Sequence, residues 1–359
     1  MAKFLLIIIF LFQIGLKASV RDSTLYVAFY NLENLFDTED DPTTDDSEFQ
    51  IDSPKEWNQE RLERKMFNMA RVIRSMNDGN APDIIGVCEV EHGFLLDSMN
   101  NLFLSDKKYL SVSPNSPDGR GIQTGIMFKS DKFKLLEVYA DTVKLKGRSR
   151  TRLILGAALL FYEKDTIYFF SNHWPSRRGG QEESEINRIT AAKTLRARVE
   201  SILYTKPEAK IIIVGDFNDE PNNISILEHL KAKPLLCEVV SENKLTAIDD
   251  ETDLFNLSYQ KFSEGIGSYK FQDDWNMLDQ IIVSRDLIVG KRFRYICGSF
   301  DVYSPEFIVT KSGKYKGAPF PTYAGNRYLG GYSDHFPVVA KFKIFDNSEK
   351  IKNNNNKKK

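Results

Sequence analysis

The sequence IIIVGDFNDEP, at Ile211–Pro221, is highly informative, because an unbroken apolar run leads directly into a group of acids and amides. Such a run predicts a strand that is buried on both faces. Alternation along the chain places Asp216 and Asn218 on one face, and Gly215 lets the backbone approach a neighbour closely. In that position Asp216 can orient or deprotonate a water molecule, and Asn218 can donate a hydrogen bond to a phosphate oxygen.

A second motif, GGYSDHFPVVAKF at Gly330–Phe342, has the reverse order, with its polar residues before the apolar strand. Its sharpest feature is Asp334 next to His335. A neighbouring carboxylate can hold an imidazole protonated, and a protonated imidazole donates to charge that develops on a phosphate. Carboxylates, an amide and an imidazole at strand ends are the groups that metal-assisted phosphoryl transfer needs.

A candidate metal ligand ends a different apolar run. Glu89 follows DIIGVC, so a rigid strand would hold its carboxylate at the edge of the solvent. Glu91 is the competing ligand, because alternation places it on the same face as Glu89. Asn31 ends the first predicted strand, in FYNLEN. Carboxylate and amide oxygens suit Mg²⁺, which usually keeps several water ligands.

Two further residues complete the candidate catalytic groups. His173 ends TIYFFSNH and precedes WPSRRGG, so it lies at a strand end among possible phosphate donors. Asp279 begins the apolar strand of NMLDQIIVS, and a buried carboxylate of this kind needs an imidazole or amide partner. Of the other two histidines, His92 is expected to have no role in the site, and His229 is expected to be structural or exposed.

Basic side chains form local clusters that suit a polyanionic substrate, although the formal net charge is −1. Basic residues alternate along Lys144–Arg152, so they can share one face; a charged edge strand that discourages aggregation is the alternative. The predicted phosphate-binding residues are Arg120, Arg148, Arg150, Arg177 and Arg178.

The first eighteen residues have the pattern of a secretory signal. Lys3 precedes the apolar run Phe4–Phe12, and the small residue Ala18 ends the segment. We therefore expect a signal peptide at residues 1–18 and a secreted or periplasmic protein; an uncleaved membrane anchor is the alternative. Loss of Lys3 and Lys17 takes the formal net charge from −1 to −3.

Three cysteines, Cys88, Cys237 and Cys297, allow at most one disulfide after export and leave one thiol. Cys88 lies inside an apolar strand and is expected to be a small core residue. The basic, asparagine-rich segment 348–359 is expected to be a disordered tail.

The chain between these ends predicts one domain at residues 19–347, because the sequence contains no Pro/Gly/Ser-rich linker and the candidate site residues come from all along it. Helices are expected at Arg61–Met76 and Glu182–Leu203, the second with an inner face of Ile186, Ile189, Leu195 and Val199. Strand runs outnumber helices and often follow one another directly. This order favours mixed, largely antiparallel sheets with helices packed outside. Strands are expected at Thr24–Tyr30, Gly125–Lys129, Phe133–Ala140, Leu153–Tyr162, Ile167–Ser171, Ile211–Val214, Met277–Ser284 and Phe336–Phe345.

Six motifs, taken in chain order, resemble those of the endonuclease/exonuclease/phosphatase family. Each motif is weak alone, but their conjunction is specific and extends over nearly the whole mature chain. The resemblance implies a deoxyribonuclease I-like α/β fold, a four-layer sandwich of two packed sheets flanked by helices, with the site at one edge. The motifs are YNLEN at Asn31, PDIIGVCEVE at Glu89, SNHW at His173, VGDFND at Asp216 and Asn218, LDQIIVS at Asp279, and SDHFPV at Ser333, Asp334 and His335.

The resemblance also implies the roles of these residues. Glu89 would bind a divalent cation with help from Asn31 and Asp334; Mg²⁺ is expected, with Mn²⁺ or Ca²⁺ as alternatives. His173, Asp216, Asn218, Asp279 and His335 would be the catalytic group, in which Asp279 orients an imidazole. Which residue acts as the general base stays open.

Within the family, NLENLFD and NHWPSRRGG look most similar to secreted bacterial nucleases. The inositol phosphatase branch is disfavoured because Met277, Leu278 and Gln280 stand around Asp279 in place of its signature. We expect a monomeric endonuclease that hydrolyses DNA, with RNA as a further substrate, and that has no stable membrane partner. The alternatives are a phosphatase or phospholipase C-like enzyme and, from a different class, a non-catalytic binding module.

Overall fold

The computed structural model describes residues 24–147, 150–238 and 252–345. Within them, two seven-stranded sheets pack face to face, and helices cover the outer faces. The predicted four-layer α/β sandwich is confirmed. The predicted signal peptide at 1–18, the tail at 348–359 and Arg148 lie outside the described residues.

The described strands are mostly short, and the helices are few. The strands are β1 (Thr24–Leu35), β2 (Ile84–Val90), β3 (Tyr109–Val112), β4 (Gln123–Lys129), β5 (Phe133–Asp141), β6 (Ile154–Phe161), β7 (Asp165–His173), β8 (Lys210–Asp216), β9 (Ala232–Pro234), β10 (Leu254–Asn256), β11 (Tyr269–Phe271), β12 (Asp274–Asn276), β13 (Asp279–Ser284), β14 (Phe293–Tyr295), β15 (Asp301–Val302), β16 (Tyr323–Ala324), β17 (Arg327–Tyr328) and β18 (Val338–Ile344). The α-helices are α1 (Gln59–Ser75), α2 (Gly93–Phe103), α3 (Gln181–Thr205), α4 (Tyr259–Ser263) and α5 (Asp286–Val289).

Both sheets are mixed and largely antiparallel, as predicted. The first has the order β14-β18-β1-β2-β4-β3, with β15 also paired to β18, and the second has the order β5-β6-β7-β8-β13-β10-β9. The parallel pairs among the described strands are β1 with β2, β7 with β8, and β9 with β10. β1 continues past its predicted end at Tyr30, because its pairing with β2 resumes at Leu35 after an irregularity that follows Asn31.

The two sheets touch most closely where β2 crosses the strands β7 and β8. Ser171 Oγ of β7 donates to the carbonyl oxygen of Val87 at 3.2 Å, which links the sheets directly. A Cβ added at Gly86 would overlap Val214 Cγ2 and lie 2.9 Å from Ser171 Oγ. A glycine is therefore required at this position by the close approach of the sheets.

The outer layers are amphipathic helices. Helix α1 begins after Asn58, whose side chain accepts a hydrogen bond from the backbone N–H of Arg61 at 3.1 Å. Helix α3 packs Leu195 and Val199 on the second sheet, as predicted, but Ile186 is 47% exposed and does not belong to that face. Ile186 lies off the buried stripe of α3, because its neighbours Ser184 and Arg188 face inward at this end of the helix.

The three cysteines form one disulfide and leave one free thiol, as the sequence allows. Cys237 and Cys297 form a disulfide, and Cys88 is free and buried in β2. None of the helices in the described part of the chain is both long and apolar enough to cross a membrane.

Gly86→Ala should destabilise the fold, because the new methyl group would overlap Val214 and Ser171, which are short side chains on a sheet and cannot move away. Overpacking of this kind costs about 1–3 kcal/mol in free energy of unfolding, which urea denaturation would measure. Gly119→Ala is the matched control, since no atom lies within 4 Å of the added Cβ. Equal effects of the two substitutions would contradict the close approach of the sheets.

Candidate active site

The ends of six strands bring the predicted site residues together at one edge of the sandwich. Asn31, Glu89, His173 and Asp216 lie at or near the carboxyl ends of β1, β2, β7 and β8, and Asp279 begins β13. Asp216 is the register partner of both His173 and Asp279. Because β13 and β18 run antiparallel to their neighbours, their first residues meet the carboxyl ends of the other strands. The loop before β18 adds Asp334 and His335.

Asn31 links the two sheets at this edge. Its Nδ2 donates to Asp216 Oδ2 at 3.2 Å and lies 3.5 Å from Glu89 Oε1. The second oxygen of Glu89 accepts from the backbone N–H of Asn34 at 3.0 Å. The amide and the two carboxylates therefore form one contact group across the interface between the sheets.

A β-bulge aims Glu89 into the site. Its backbone has φ 59°, a left-handed conformation that a glutamate rarely adopts, and the β2–β4 register shifts between Cys88 and Val90. The bulge breaks the alternation that the sequence suggested. The prediction that Glu91 shares a face with Glu89 is therefore wrong: Glu91 turns away and accepts from the backbone N–H of Asp37 at 2.7 Å.

His335 and Asp279 form a buried pair. His335 Nδ1 lies 2.7 Å from Asp279 Oδ2, and His335 Nε2 lies 3.9 Å from Asp216 Oδ2. Asp279 also accepts from Ser268 Oγ at 2.5 Å. The ring of Tyr269 stacks on the imidazole with centroids 4.6 Å apart. The expected imidazole partner of Asp279 is thus His335.

The charges of this group shift the pKa values of its members. Burial opposes protonation of His335, but the adjacent Asp279 carboxylate outweighs it, with smaller contributions from Asp334 and Asp216, and raises the pKa of His335 well above its ordinary value. Burial raises the pKa of Asp216 to about 6, although His335 acts in the opposite direction. The imidazole of His335 can therefore carry a proton to donate, and the Asp216 carboxylate can exchange one near neutral pH.

The pKa of His173 is shifted in the opposite direction to that of His335. Its Nε2 lies 3.7 Å from Glu89 Oε1 and 3.8 Å from Asp216 Oδ2. Burial lowers the pKa of His173 well below its ordinary value, and Arg152 and Arg120 lower it further. The site thus holds one imidazole that favours the charged form and one that favours the neutral form.

Asn218 is held close to Asp216 by a tight turn. Its backbone has φ 51°, and its N–H donates to Asp216 Oδ1 at 2.9 Å. Its side-chain Nδ2 donates to the carbonyl oxygen of Trp174 at 3.0 Å. Arg177 Nε donates to the carbonyl oxygen of Asn218 at 2.7 Å, which supports the turn from below.

The carboxylates of this edge fit a divalent cation. Asp334 is half-buried, and burial raises its pKa; the charge of His335 opposes this rise, and that of Glu89 adds to it. Glu89 and Asp334 together with the amide of Asn31 provide hard oxygen atoms, and their mutual repulsion would be relieved by a bound cation. These three residues would hold the ion. Such an ion polarises a phosphoryl oxygen and stabilises a leaving group.

The predicted phosphate-binding arginines are not equivalent. Arg120 donates to Asn34 Oδ1 and influences His173 electrostatically, so it borders the site. Arg150 and Arg178 are exposed. Arg177 is half-buried, and its guanidinium donates to Asn218, Asn276 and Asn223. Contact of these four with phosphate stays a prediction.

The expectation that Lys144–Arg152 presents its basic side chains on one face is wrong for Arg152. That residue is buried, and its guanidinium donates to the carbonyl oxygens of His173 and Trp174 and pairs with Asp118 at 3.2 Å. The described residues of this segment form no strand. Arg152 therefore positions the end of β7 instead of facing the solvent.

Sequence reasoning missed several residues that support the site. Ser268 and Tyr269 contact the Asp279–His335 pair from a segment, GIGSYKF, that carries no motif. Lys65 of α1 is buried, donates to Thr322 Oγ1 at 2.6 Å and lies 3.8 Å from Glu33, and burial raises the pKa of Glu33 to about 7. A lysine at a core-facing position of an amphipathic helix is the one signal that the sequence offered.

Asp279→Asn should let His335 lose its proton at a lower pH, because the carboxylate that holds the imidazole charged is replaced by a neutral amide and burial then favours the neutral ring. Because the pKa of His335 is raised in the folded state, its protonation stabilises the fold fully below about pH 6.5, the pKa of an unfolded histidine. This stabilisation is lost as the pH rises through the folded-state pKa of His335. NMR titration of the imidazoles in the metal-free protein measures the change. Asp273→Asn, at an exposed position, is the control. An unchanged His335 titration in Asp279→Asn would contradict the assigned pair.

Comparison with known proteins identifies the family of the chain. The sequence model of the Endonuclease/Exonuclease/phosphatase family matches residues 26–343. A search of curated protein sequences finds no match.

Solved structures show the same fold at low sequence identity. A D. rerio TDP2 complexed with single strand DNA product is 16% identical, with a TM-score of 0.51, and the match covers 90% of this chain and 100% of that one. The human Nocturnin catalytic domain with bound sulfate is 15% identical, with a TM-score of 0.52 and coverage of 90% and 95%. A Bacteroides thetaiotaomicron mannosyl-6-phosphatase is 18% identical, with a TM-score of 0.53 and coverage of 89% and 100%. At these identities the likeness concerns the fold alone. With the family model matched over most of its length, the chain belongs to the endonuclease/exonuclease/phosphatase family, whose members are metal-dependent phosphoester hydrolases.

Proposed function

We propose that the protein is an exported phosphodiesterase that hydrolyses DNA, and RNA as a further substrate, with Mg²⁺ as its cation. Mn²⁺ and Ca²⁺ are the alternative ions. The observation that carries the proposal is the pair of groups with opposite proton preferences: His335, held charged by Asp279, lies 3.9 Å from Asp216. A donor and an acceptor at this separation suit the two proton movements of phosphodiester hydrolysis.

In this proposal each residue has a role that its surroundings support. Asp216 orients the attacking water and accepts its proton, because burial has already raised the pKa of this carboxyl to about 6. His335 donates to the charge that develops on the phosphate or to the leaving oxygen. Asn218, next to Asp216, and the neutral His173 position the phosphate.

A cavity beside Asp334 supports a nucleic acid substrate. It has a volume of about 610 Å³. Its walls combine aromatic rings, among them Tyr315 and Tyr323, with the cations Lys270 and Arg327. Aromatic faces stack on bases, and cations follow a phosphate backbone. The TDP2 structure that holds a single strand DNA product has the same fold, which also favours this substrate class.

A phosphatase that acts on a small phosphate ester is the second candidate. The mannosyl-6-phosphatase of similar fold favours it, and so does the mature charge of −3, which would weaken binding to a long polyanion.

Export is part of the proposal. The N-terminal pattern of charge, apolar run and small residue supports it, and so does the Cys237–Cys297 disulfide, since disulfides persist in oxidising compartments. We propose a secreted or periplasmic monomer whose single domain begins after the signal peptide.

The mature protein should nick supercoiled plasmid in the presence of Mg²⁺ or Mn²⁺ and leave it intact with EDTA. Asp216→Ala should lower the rate by about 10²–10⁴-fold, the contribution typical of a positioned acid–base group. A gel assay measures both effects, and circular dichroism confirms that the variant is folded.

Asp273→Asn serves as the control for a change of charge near the site, and it should cleave like the wild type. Parallel reactions with single-stranded RNA, bis-p-nitrophenyl phosphate and p-nitrophenyl phosphate separate the candidates. Rapid monoester hydrolysis by a folded enzyme that leaves plasmid and RNA intact would contradict the nuclease proposal and favour the phosphatase.

A further inference from the structure

A second group of potential metal ligands lies outside the active site, where the segment after β1 meets the end of β2. A carboxylate oxygen of Asp37, one of Glu91 and a ring nitrogen of His92 all lie within 4.8 Å of one another. His92 Nε2 is 3.8 Å from Asp37 Oδ2. The three side chains therefore point toward one common space from two separate segments.

The Glu91 carboxylate has a buried oxygen with no partner. The residue is 1% exposed, and its Oε2 accepts from the backbone N–H of Asp37 at 2.7 Å. Its Oε1 has no hydrogen-bond donor among the described residues. A buried acceptor without a donor is destabilising, and native structures normally satisfy such an atom with a partner, a water or an ion. The Glu91 Oε1 atom is thus available to bind a cation.

The surrounding charges are acidic. Asp37, Asp41 and Asp46 each act electrostatically on Glu91. Asp46 is buried and is engaged elsewhere, since its Oδ2 accepts from the backbone N–H of Asp41 at 3.0 Å. This accumulation of negative charge around a buried carboxylate favours a cation.

We propose that Asp37, Glu91 and His92 bind a second divalent cation, and that this ion is Zn²⁺ or Mn²⁺. Two carboxylates and an imidazole suit a first-row transition metal, whereas Ca²⁺ and Mg²⁺ select sites built from oxygen alone. Water would complete the coordination.

The site is separate from the active site, although Glu91 follows Glu89 by two residues. The bulge at Glu89 sends the two carboxylates in different directions: Glu89 contacts Asn31, and Glu91 contacts Asp37. The two ions would therefore occupy different ligand sets with no shared residue.

The proposed ion has a structural role. Leu35 pairs with Val90, so the ligands lie just beyond the last register pair of β1 and β2. Trp57 Nε1 already donates to the carbonyl oxygen of Asp37 at 2.8 Å, which anchors this segment from the other side. An ion between Asp37 and Glu91 would tie the segment after β1 to the strand that carries Glu89, and so stabilise the bulge.

The test uses the mature, EDTA-treated protein that carries Glu89→Gln. This substitution replaces the carboxylate of the proposed active-site ligand by an amide of the same shape. Isothermal titration with Zn²⁺, and separately with Mn²⁺, should show one ion bound per chain, and the ion should raise the melting temperature. Adding Glu91→Gln or His92→Gln should weaken binding at least about tenfold and abolish the thermal shift. His229→Gln and Asp40→Asn are the matched controls, and both should bind like the parent. Because cleavage is not measured, failure of the nuclease proposal would leave this result unaffected.

The wild-type protein gives a second arm, in which Mn²⁺ should bind at two ions per chain and His92→Gln should reduce this to one. The electron paramagnetic resonance signal of Mn²⁺ in Glu89→Gln should show nitrogen coupling that His92→Gln removes. No ion bound in folded Glu89→Gln would overturn the proposal. Ion binding that His92→Gln leaves unchanged would also overturn it. Binding of Ca²⁺ as tight as that of Zn²⁺ would do the same.

Discussion

The concentration of buried negative charge at one edge of the sandwich is the constraint on which the rest of the structure depends. Asp216 and Asp279 are almost fully buried and face each other in register, and Glu89 and Asp334 lie beside them. Such a group cannot persist without compensation, because isolated buried carboxylates are costly. The compensation comes from the imidazolium of His335, from amide donors and from the cation that this edge would hold.

The sheet topology explains how these charges are forced together. Parallel pairing of β1 with β2 and of β7 with β8 sends four strand ends to one edge, and antiparallel β13 and β18 begin there. The sheets approach closely at Gly86, and the hydrogen bond from Ser171 to Val87 links them there. The groups are therefore held by rigid strands, and left-handed backbone conformations lie beside them at Glu33, Asn34, Glu89 and Asn218. Backbone strain at the strand ends that carry the site fits a geometry that is set before substrate binds.

The strand pattern predicted the mixed, largely antiparallel sheets, and the resemblance to the family predicted the four-layer sandwich. The residues of this group could be singled out because each lies next to an apolar run that a strand pattern reveals. The sequence could not predict what depends on tertiary contact. Alternation suggested that Glu91 would compete with Glu89, and the bulge, which has no sequence signature here, separates them. Charge alternation placed Arg152 at the surface, whereas its carbonyl partners come from a neighbouring strand end. The sequence did not reveal Tyr269 either, because its stacking on His335 is also a tertiary contact.

A crystal structure of the mature protein grown with Mn²⁺, with anomalous scattering used to locate the ion, would test the proposed cation site directly. We expect a peak bound by Glu89 and Asp334 beside Asn31, with the Asp279–His335 pair intact. A well-ordered crystal with Mn²⁺ bound elsewhere and none at Glu89, or with His335 turned away from Asp279, would contradict it.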